Sequence, residues 1–220
     1  MIKAVILDLD DTLYPEAGYV QSGFKAVSVY LKNSFSITGS YPELLRLFNE
    51  NKQSVFDRFC LEKGLNLQTA IQMHNIYISH KPDIQLYSDS LPFLDWLRKN
   101  AIKIGLITDG RPIQQQAKID ALQVGAFFDT IIITDRLGVE FRKPHPKSFE
   151  IARECLDVEY CETVYIGDNP AKDFYIGALY PIKTVQIIRQ GYYAGDYYKG
   201  VKPGMTIKSL DELKEKERFF

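Results

Sequence analysis

The sequence predicts an α/β fold built on a parallel sheet and interrupted near its start by a helical insertion. Three observations carry that expectation. Five apolar runs rich in β-branched residues recur along the chain, at 2–7, 102–107, 130–133, 163–166 and 184–188. Helix-length segments separate the later runs, so consecutive strands need crossovers and pair in parallel. Between the first run and the second, about 90 residues hold no convincing strand, which is too much for one crossover helix.

The first run, Val5-Ile6-Leu7, is fit for burial yet ends in three acids, Asp8, Asp10 and Asp11. Carboxylates crowded at the end of a buried strand repel one another, and desolvation raises their pKa values further, so a cation belongs beside them. The insertion covers residues 15–87, with 15–18 and 81–88 as its linkers, and leaves a core of 1–14 and 88–220. Its contents read as helices at 19–31, at 44–48 behind a capping box from Ser40 to Glu43, through Val55, Phe56, Phe59 and Cys60 to a stop at Gly64, and at 67–78. After Thr108, residues 112–122 have Pro112 at their start and Gly125 just past their end, which suits a helix. Residues 146–156 place Phe149, Ala152 and Leu156 on one helical face. The tyrosine-rich stretch 191–200, with Tyr192, Tyr193, Tyr197 and Tyr198, has glycines and no apolar period, and reads as a loop that packs over the core.

At 220 residues the chain can bury a core without covalent staples. Lys and Arg total 27 against 28 Asp and Glu, with no long run of one sign, so neither nucleic acid nor an anionic membrane surface is an expected partner. Cys60, Cys155 and Cys161 form no CxxC pair, which argues for reduced thiols rather than disulfides or zinc. The chain starts a strand at Ile2 without a signal-like series, and no apolar run approaches the roughly 18 residues of a membrane span, so the expected setting is cytoplasmic.

Ligands of parallel α/β sheets collect beyond the carboxyl ends of the strands. There the chain carries Asp8, Asp10 and Asp11, then Thr108-Asp109-Gly110, Thr134-Asp135, and Gly167-Asp168-Asn169 with Asp173 beyond. Lys143 precedes the helix that feeds the fourth strand. Acids from separate strands suit Mg²⁺, a hard cation that takes oxygen ligands, and Asp8 and Asp168 would each give one. A metal also lets an aspartate stay ionised and attack phosphorus. The phosphoryl oxygens would then be met by the Thr108 hydroxyl, by backbone N–H groups near Asp109 and Gly110, and by the Lys143 ammonium. Asp10, two residues on and on the same side of an extended chain, is placed to protonate a leaving oxygen and then deprotonate water.

With these residues in place, the chain resembles the haloacid dehalogenase superfamily, in its phosphatase branch. Asp8 to Thr12 matches the DxDxT motif, Thr108 the second motif, Lys143 the third and Gly167 to Asp173 the fourth, in the right order across the core. The resemblance implies a Rossmann-like core, a helical cap inserted after the first motif, Mg²⁺ dependence and hydrolysis of a small phosphorylated molecule. It assigns Asp8 as nucleophile and metal ligand, Asp10 as acid/base and a ligand through its carbonyl, Asp168 as ligand, and Asp173 as support for the metal site. Asn169 falls beside Asp173, and Asp109 beside the phosphate donors, with contact or no contact equally open for both. Asp11 fits a turn residue, and His145 a structural helix-entry residue.

Three other chemistries fit parts of this pattern. A phosphomutase needs the same catalytic residues. A haloacid dehalogenase does without the acid at the Asp10 position. A phospho-acceptor signalling domain shares the acids, Thr and Lys but needs no helical insertion. A binding module without catalysis would have lost a motif residue, and none is lost. After Gly177-Ala178 the family usually places another glycine, where this chain reads Leu179-Tyr180-Pro181.

Overall fold

The computed structural model describes residues 1–189 and 195–215. It divides into two compact units, residues 1–16 with 85–220, and 17–84.

In the first unit, β1 (Ala4–Leu7) lies in a sheet with β2 (Lys103–Thr108), β3 (Thr130–Ile133), β4 (Thr163–Gly167), β5 (Lys183–Ile187) and β6 (Met205–Ile207). All pairings are parallel, in the order β3-β2-β1-β4-β5-β6. Because both faces of such a sheet are covered, β1 is buried at every position and reads as a continuous apolar run. The strand order reverses between β1 and β4, the position where a crevice opens beyond the strand ends. Leu7 is level with Leu106 on one side and Ile166 on the other, so the residues after β1, β2 and β4 emerge together.

Helices close the sheet. Those of this unit are α5 (Ser90–Lys99), α6 (Pro112–Leu122), α7 (Lys147–Leu156) and the short α8 (Ile176–Leu179) and α9 (Asp211–Lys214), numbered after the four of the other unit. Phe149, Ala152 and Leu156 of α7 share a core with Ile6, Ile107 and Tyr165, and the Phe149 ring meets Tyr165 edge-on at 4.8 Å. Each such fully buried large side chain contributes about 1.5–3 kcal/mol of transfer free energy. Gly105 makes the close approach possible, since a Cβ there would lie 3.2 Å from Leu156 and 3.3 Å from Ile6.

The second unit holds α1 (Glu16–Phe35), α2 (Ser40–Glu50), α3 (Val55–Lys63) and α4 (Leu67–Ser79). Phe24, Val27 and Leu31 of α1 recur at helical spacing and pack on Leu44, Leu47, Phe59 and Met73. The chain leaves the first unit and returns to it at neighbouring points. The Tyr87 N–H donates to the Leu13 carbonyl at 3.0 Å, and the Ser90 hydroxyl donates to the same oxygen at 2.8 Å.

Three local expectations are corrected. No capping box forms at α2, because Gly39 enters the helix in the left-handed region and the Ser40 hydroxyl turns to Ser28 at 3.0 Å. At the end of α6 the left-handed position falls on Gln123 rather than Gly125, which opens a short 3₁₀ turn. The edge strand β6 was not among the expected runs, because three residues supply no readable alternation.

Candidate active site

The Asp8 N–H donates to the Ile166 carbonyl at 2.9 Å and so continues the ladder between β1 and β4. That bond fixes the side chain at the strand-order reversal, where it is 1% exposed. Asp8 Oδ1 lies 2.8 Å from Lys143 Nζ, while Oδ2 is buried and has no hydrogen-bond partner among the described residues. Lys143 is buried too. Its ammonium also lies 2.8 Å from Asp173 Oδ1 and donates to Tyr165 Oη at 2.8 Å, and Tyr165 in turn donates to Asp173 Oδ1 at 2.8 Å. Asp173 Oδ2 accepts the Asn169 N–H at 2.8 Å. Only glycine fits at 167, since a Cβ there would fall 2.5 Å from Asp173 Oδ2.

Asp8, Asp168 and Asp173 each bring one carboxylate oxygen into a group whose members lie within 4.8 Å of one another. Burial, then the charges of Asp173 and Asp8, push the Asp168 carboxyl up to about 9. Burial likewise raises Asp8, against the pull of Lys143. With Asp109, four carboxylates face the two ammonium groups of Lys143 and Lys172, whose Nζ lies 3.3 Å from Asp109 Oδ2. The excess is negative. A bare buried oxygen in an excess of carboxylates fits a hard divalent cation, and the donor set is all oxygen.

The phosphate-pocket candidates gather nearby. Thr108 is fully buried at the end of β2. Gly110 takes φ +131°, which a side chain would strain. Asp109 accepts the Thr134 hydroxyl at 2.9 Å and the Lys143 N–H at 3.1 Å. Burial opposes its charge, yet Lys143 and Lys172 hold its carboxyl below the usual range. Asp109 therefore orients the backbone that carries Lys143.

Asp10 stands apart from the carboxylate group. Its Oδ1 lies 2.7 Å from Lys118 Nζ and accepts the Tyr14 hydroxyl, and its Oδ2 accepts Gln115 Nε2 at 2.9 Å. Despite burial, Lys118 and these donors hold the carboxyl low. The same Gln115 amide donates to Thr108 Oγ1.

The remaining candidates shape loops. Asp11, at φ 49°, accepts the Glu16 N–H at 2.9 Å. The Asn169 side chain accepts the Ala171 N–H at 3.0 Å. His145 accepts the Lys147 N–H at 3.1 Å and meets the Phe141 ring edge-on. Tyr197 donates to Gln186 at 2.8 Å, and Tyr198 stands edge-on to Tyr175, whereas Tyr192 and Tyr193 lie outside the described residues.

Sequence reasoning missed Tyr14, Gln115, Lys118, Tyr165 and Lys172. A signal existed for two of them: Gln115 and Lys118 sit one turn apart on the face of α6 that also buries Ile119 and Leu122. Polar side chains on a buried helical face are costly unless paired.

This arrangement defines an α/β enzyme whose acids and lysine meet at the strand-order reversal. A family model described as haloacid dehalogenase-like hydrolase matches residues 2–178, and the chain belongs to that family. The glyceraldehyde 3-phosphate phosphatase of Methanopyrus kandleri is 31% identical over 203 residues, 87% of this chain and 86% of that protein. Its namesake in Pyrococcus furiosus is 32% identical over 205 residues, 88% and 83% of the two chains. Among solved structures, a HAD phosphatase from Thermococcus onnurineus matches with a TM-score of 0.63 at 26% identity, over 97% of both chains. A 2-haloacid dehalogenase from Pseudomonas syringae shares the fold with a TM-score of 0.67 at 22% identity, over 98% and 97%. The chain falls on the phosphatase branch and is a phosphomonoester hydrolase. Among the described residues, no helix is long and apolar enough to cross a membrane.

Proposed function

We propose that the chain is a Mg²⁺-dependent phosphatase that hydrolyses a small sugar phosphate through a phosphoryl group carried on Asp8. The observation that supports it most is the buried, unpartnered Asp8 Oδ2 within the group formed with Asp168 and Asp173. Asp8, Asp168 and the Asp10 carbonyl would hold the ion, with Asp173 and Asn169 steadying them. When bound, Mg²⁺ would offset the charge of the carboxylates and of the phosphoryl oxygens.

A carboxylate oxygen of Asp8 attacks phosphorus and forms an acyl phosphate as the bond to the leaving oxygen breaks. Asp10 gives a proton to that oxygen from its acid form, which its donors make the minor one at rest. It then takes one from the water that attacks phosphorus, and inorganic phosphate leaves with Asp8 restored. Thr108, the N–H groups near Asp109 and Gly110, and Lys143 receive the phosphoryl oxygens. Lys143 also holds Asp8 in place, at 2.8 Å.

The relatives named for glyceraldehyde 3-phosphate make short sugar phosphates the first substrates to try. We assign choice among them to the helical insertion, which carries no residue of the carboxylate group. The test is phosphate release from triose, pentose and hexose phosphates, nucleoside monophosphates and phosphorylated acids, with Mg²⁺ and with chelator. Metal-dependent release concentrated on short sugar phosphates is expected. Release that survives exhaustive chelation, or turnover retained by Asp8→Asn, overturns the proposal.

A further inference from the structure

Two side chains outside the four motifs converge on Asp10. Lys118 and Gln115 come from one face of α6 and are 4% and 2% exposed, so neither is a solvated surface group. Lys118 Nζ lies 2.7 Å from Oδ1, and Gln115 Nε2 lies 2.9 Å from Oδ2, so the two grip opposite oxygens. The Tyr14 hydroxyl adds a third donor on Oδ1. Gln115 reaches further, because its amide also meets Thr108 Oγ1 and its side chain fills the space against Gly110. One glutamine thus spans the acid/base candidate and the phosphate pocket.

An aspartate has one short, rotatable stem, and two donors on opposite oxygens remove both freedoms of its carboxylate plane. Proton transfer needs the carboxyl within hydrogen-bond reach of the leaving oxygen. From this geometry we infer that Lys118 and Gln115 are positioning residues, which act on the reaction by fixing where Asp10 presents its carboxyl relative to Thr108 and the departing oxygen. The inference rests on the proposed role of Asp10. It adds two residues of α6 that lie outside the carboxylate group around Asp8.

A thermodynamic cycle tests it. Lys118→Met and Gln115→Met are measured in the native chain and in Asp10→Asn, with kcat/KM for an alkyl phosphate, glycerol 3-phosphate, and for an aryl phosphate, 4-nitrophenyl phosphate. The alkyl oxygen needs a proton to leave and the nitrophenolate does not. In the native background, the ratio of alkyl to aryl kcat/KM should fall by about 100-fold for Lys118→Met, the lower end of what general acids supply, and by about 10-fold for Gln115→Met, a partial loss of that contribution. In the Asp10→Asn background the same substitutions should lower alkyl kcat/KM by less than about 3-fold, because their target is gone. Lys118→Arg should recover most of the ratio.

Equal losses on both substrates, or full losses repeated in the Asp10→Asn background, overturn the inference and make α6 a structural support. If Lys118→Met does not fold, Gln115→Met and Lys118→Arg carry the cycle, since each keeps a side chain of similar length in place. Turnover retained in Asp8→Asn would instead remove the covalent mechanism, a failure separate from either arm of the cycle.

Discussion

Two buried charge clusters of the first unit make an instructive pair. Around Asp89 both carboxylate oxygens are held. Arg189 grips both oxygens at 2.7 and 2.9 Å, and Oδ2 also accepts the Ser209 hydroxyl at 2.8 Å and the Leu210 N–H at 2.9 Å. Arg189 reaches the Thr12 carbonyl as well, at 3.0 Å, and its guanidinium lies 4.2 Å from the Tyr87 ring centroid. Acid and base are matched one to one. Around Asp8 the acids outnumber the lysines, and one oxygen has no partner among the described residues. The first cluster joins the ends of β1 and β5 to the starts of α5 and α9, while the second holds charge in a poised, incomplete state. Arg189 Nε and Tyr87 Oη also lack partners among the described residues, so what separates the two clusters is charge: matched one to one around Asp89, in negative excess around Asp8.

The contrast breaks most visibly at Asp8. Asp8→Asn should lower turnover by about 10⁴-fold or more if Asp8 is the nucleophile proposed above. Its melting temperature should hold or rise, because one buried negative charge leaves an acid-rich group; a clear fall would end the comparison. Next in size is Asp89→Ala, which leaves the buried Arg189 unpaired and should cost about 3–5 kcal/mol in urea unfolding, with a far smaller effect on turnover.

The pH dependence sharpens the same contrast, since the two clusters should pull stability in opposite directions. Asp168 is raised to about 9 in the folded chain, against roughly 4 unfolded, so the folded state holds more protons across that window. Metal-free protein should therefore lose stability as pH rises through it, and Asp168→Asn should flatten the decline. Burial opposes the charge of Asp89, but Arg189, Ser209 and Leu210 hold it below the ordinary range. Its contribution is present above about pH 4 and is lost as pH falls through its folded value. Thermal melts in chelator from acid to alkaline pH read both arms, and Asp89→Asn should shallow the acid one. The smallest effect is that of Ser209→Ala, which removes one of four bonds on Asp89 and should cost about 1 kcal/mol.

Residues at strand ends were legible in the sequence because a parallel sheet sends them all to one edge. Asp8, Thr108 and Asp168 could be placed at strand ends from the apolar runs, while Lys143, ahead of the helix that feeds β4, drew its expected role from the company of the other motif residues. What could not be read was which oxygen faces which donor. Asp10 was expected on the same side of the chain as Asp8, yet its carboxylate turns to α6, and only the packing of that helix on the sheet brings Lys118 and Gln115 there. Tyr165 was read as one more apolar position of β4, although its hydroxyl ties Lys143 to Asp173. In the fold, β6 and the Ser40 cap escaped for a related reason: a three-residue strand and a single hydroxyl take their roles from neighbours distant in sequence.

The bond from Tyr87 to the Leu13 carbonyl has a bearing on how such a chain can change. Departure and re-entry points lie side by side, so the intervening residues 17–84 form a closed excursion whose ends are already joined. The entropy of closing a loop grows only with the logarithm of its length, about 0.6 kcal/mol for each doubling. Longer, shorter or wholly different excursions could be spliced between these two points without altering the register of β1 against β2 and β4. The insertion can thus be exchanged as a cassette, while the strand that carries Asp8 stays as it is.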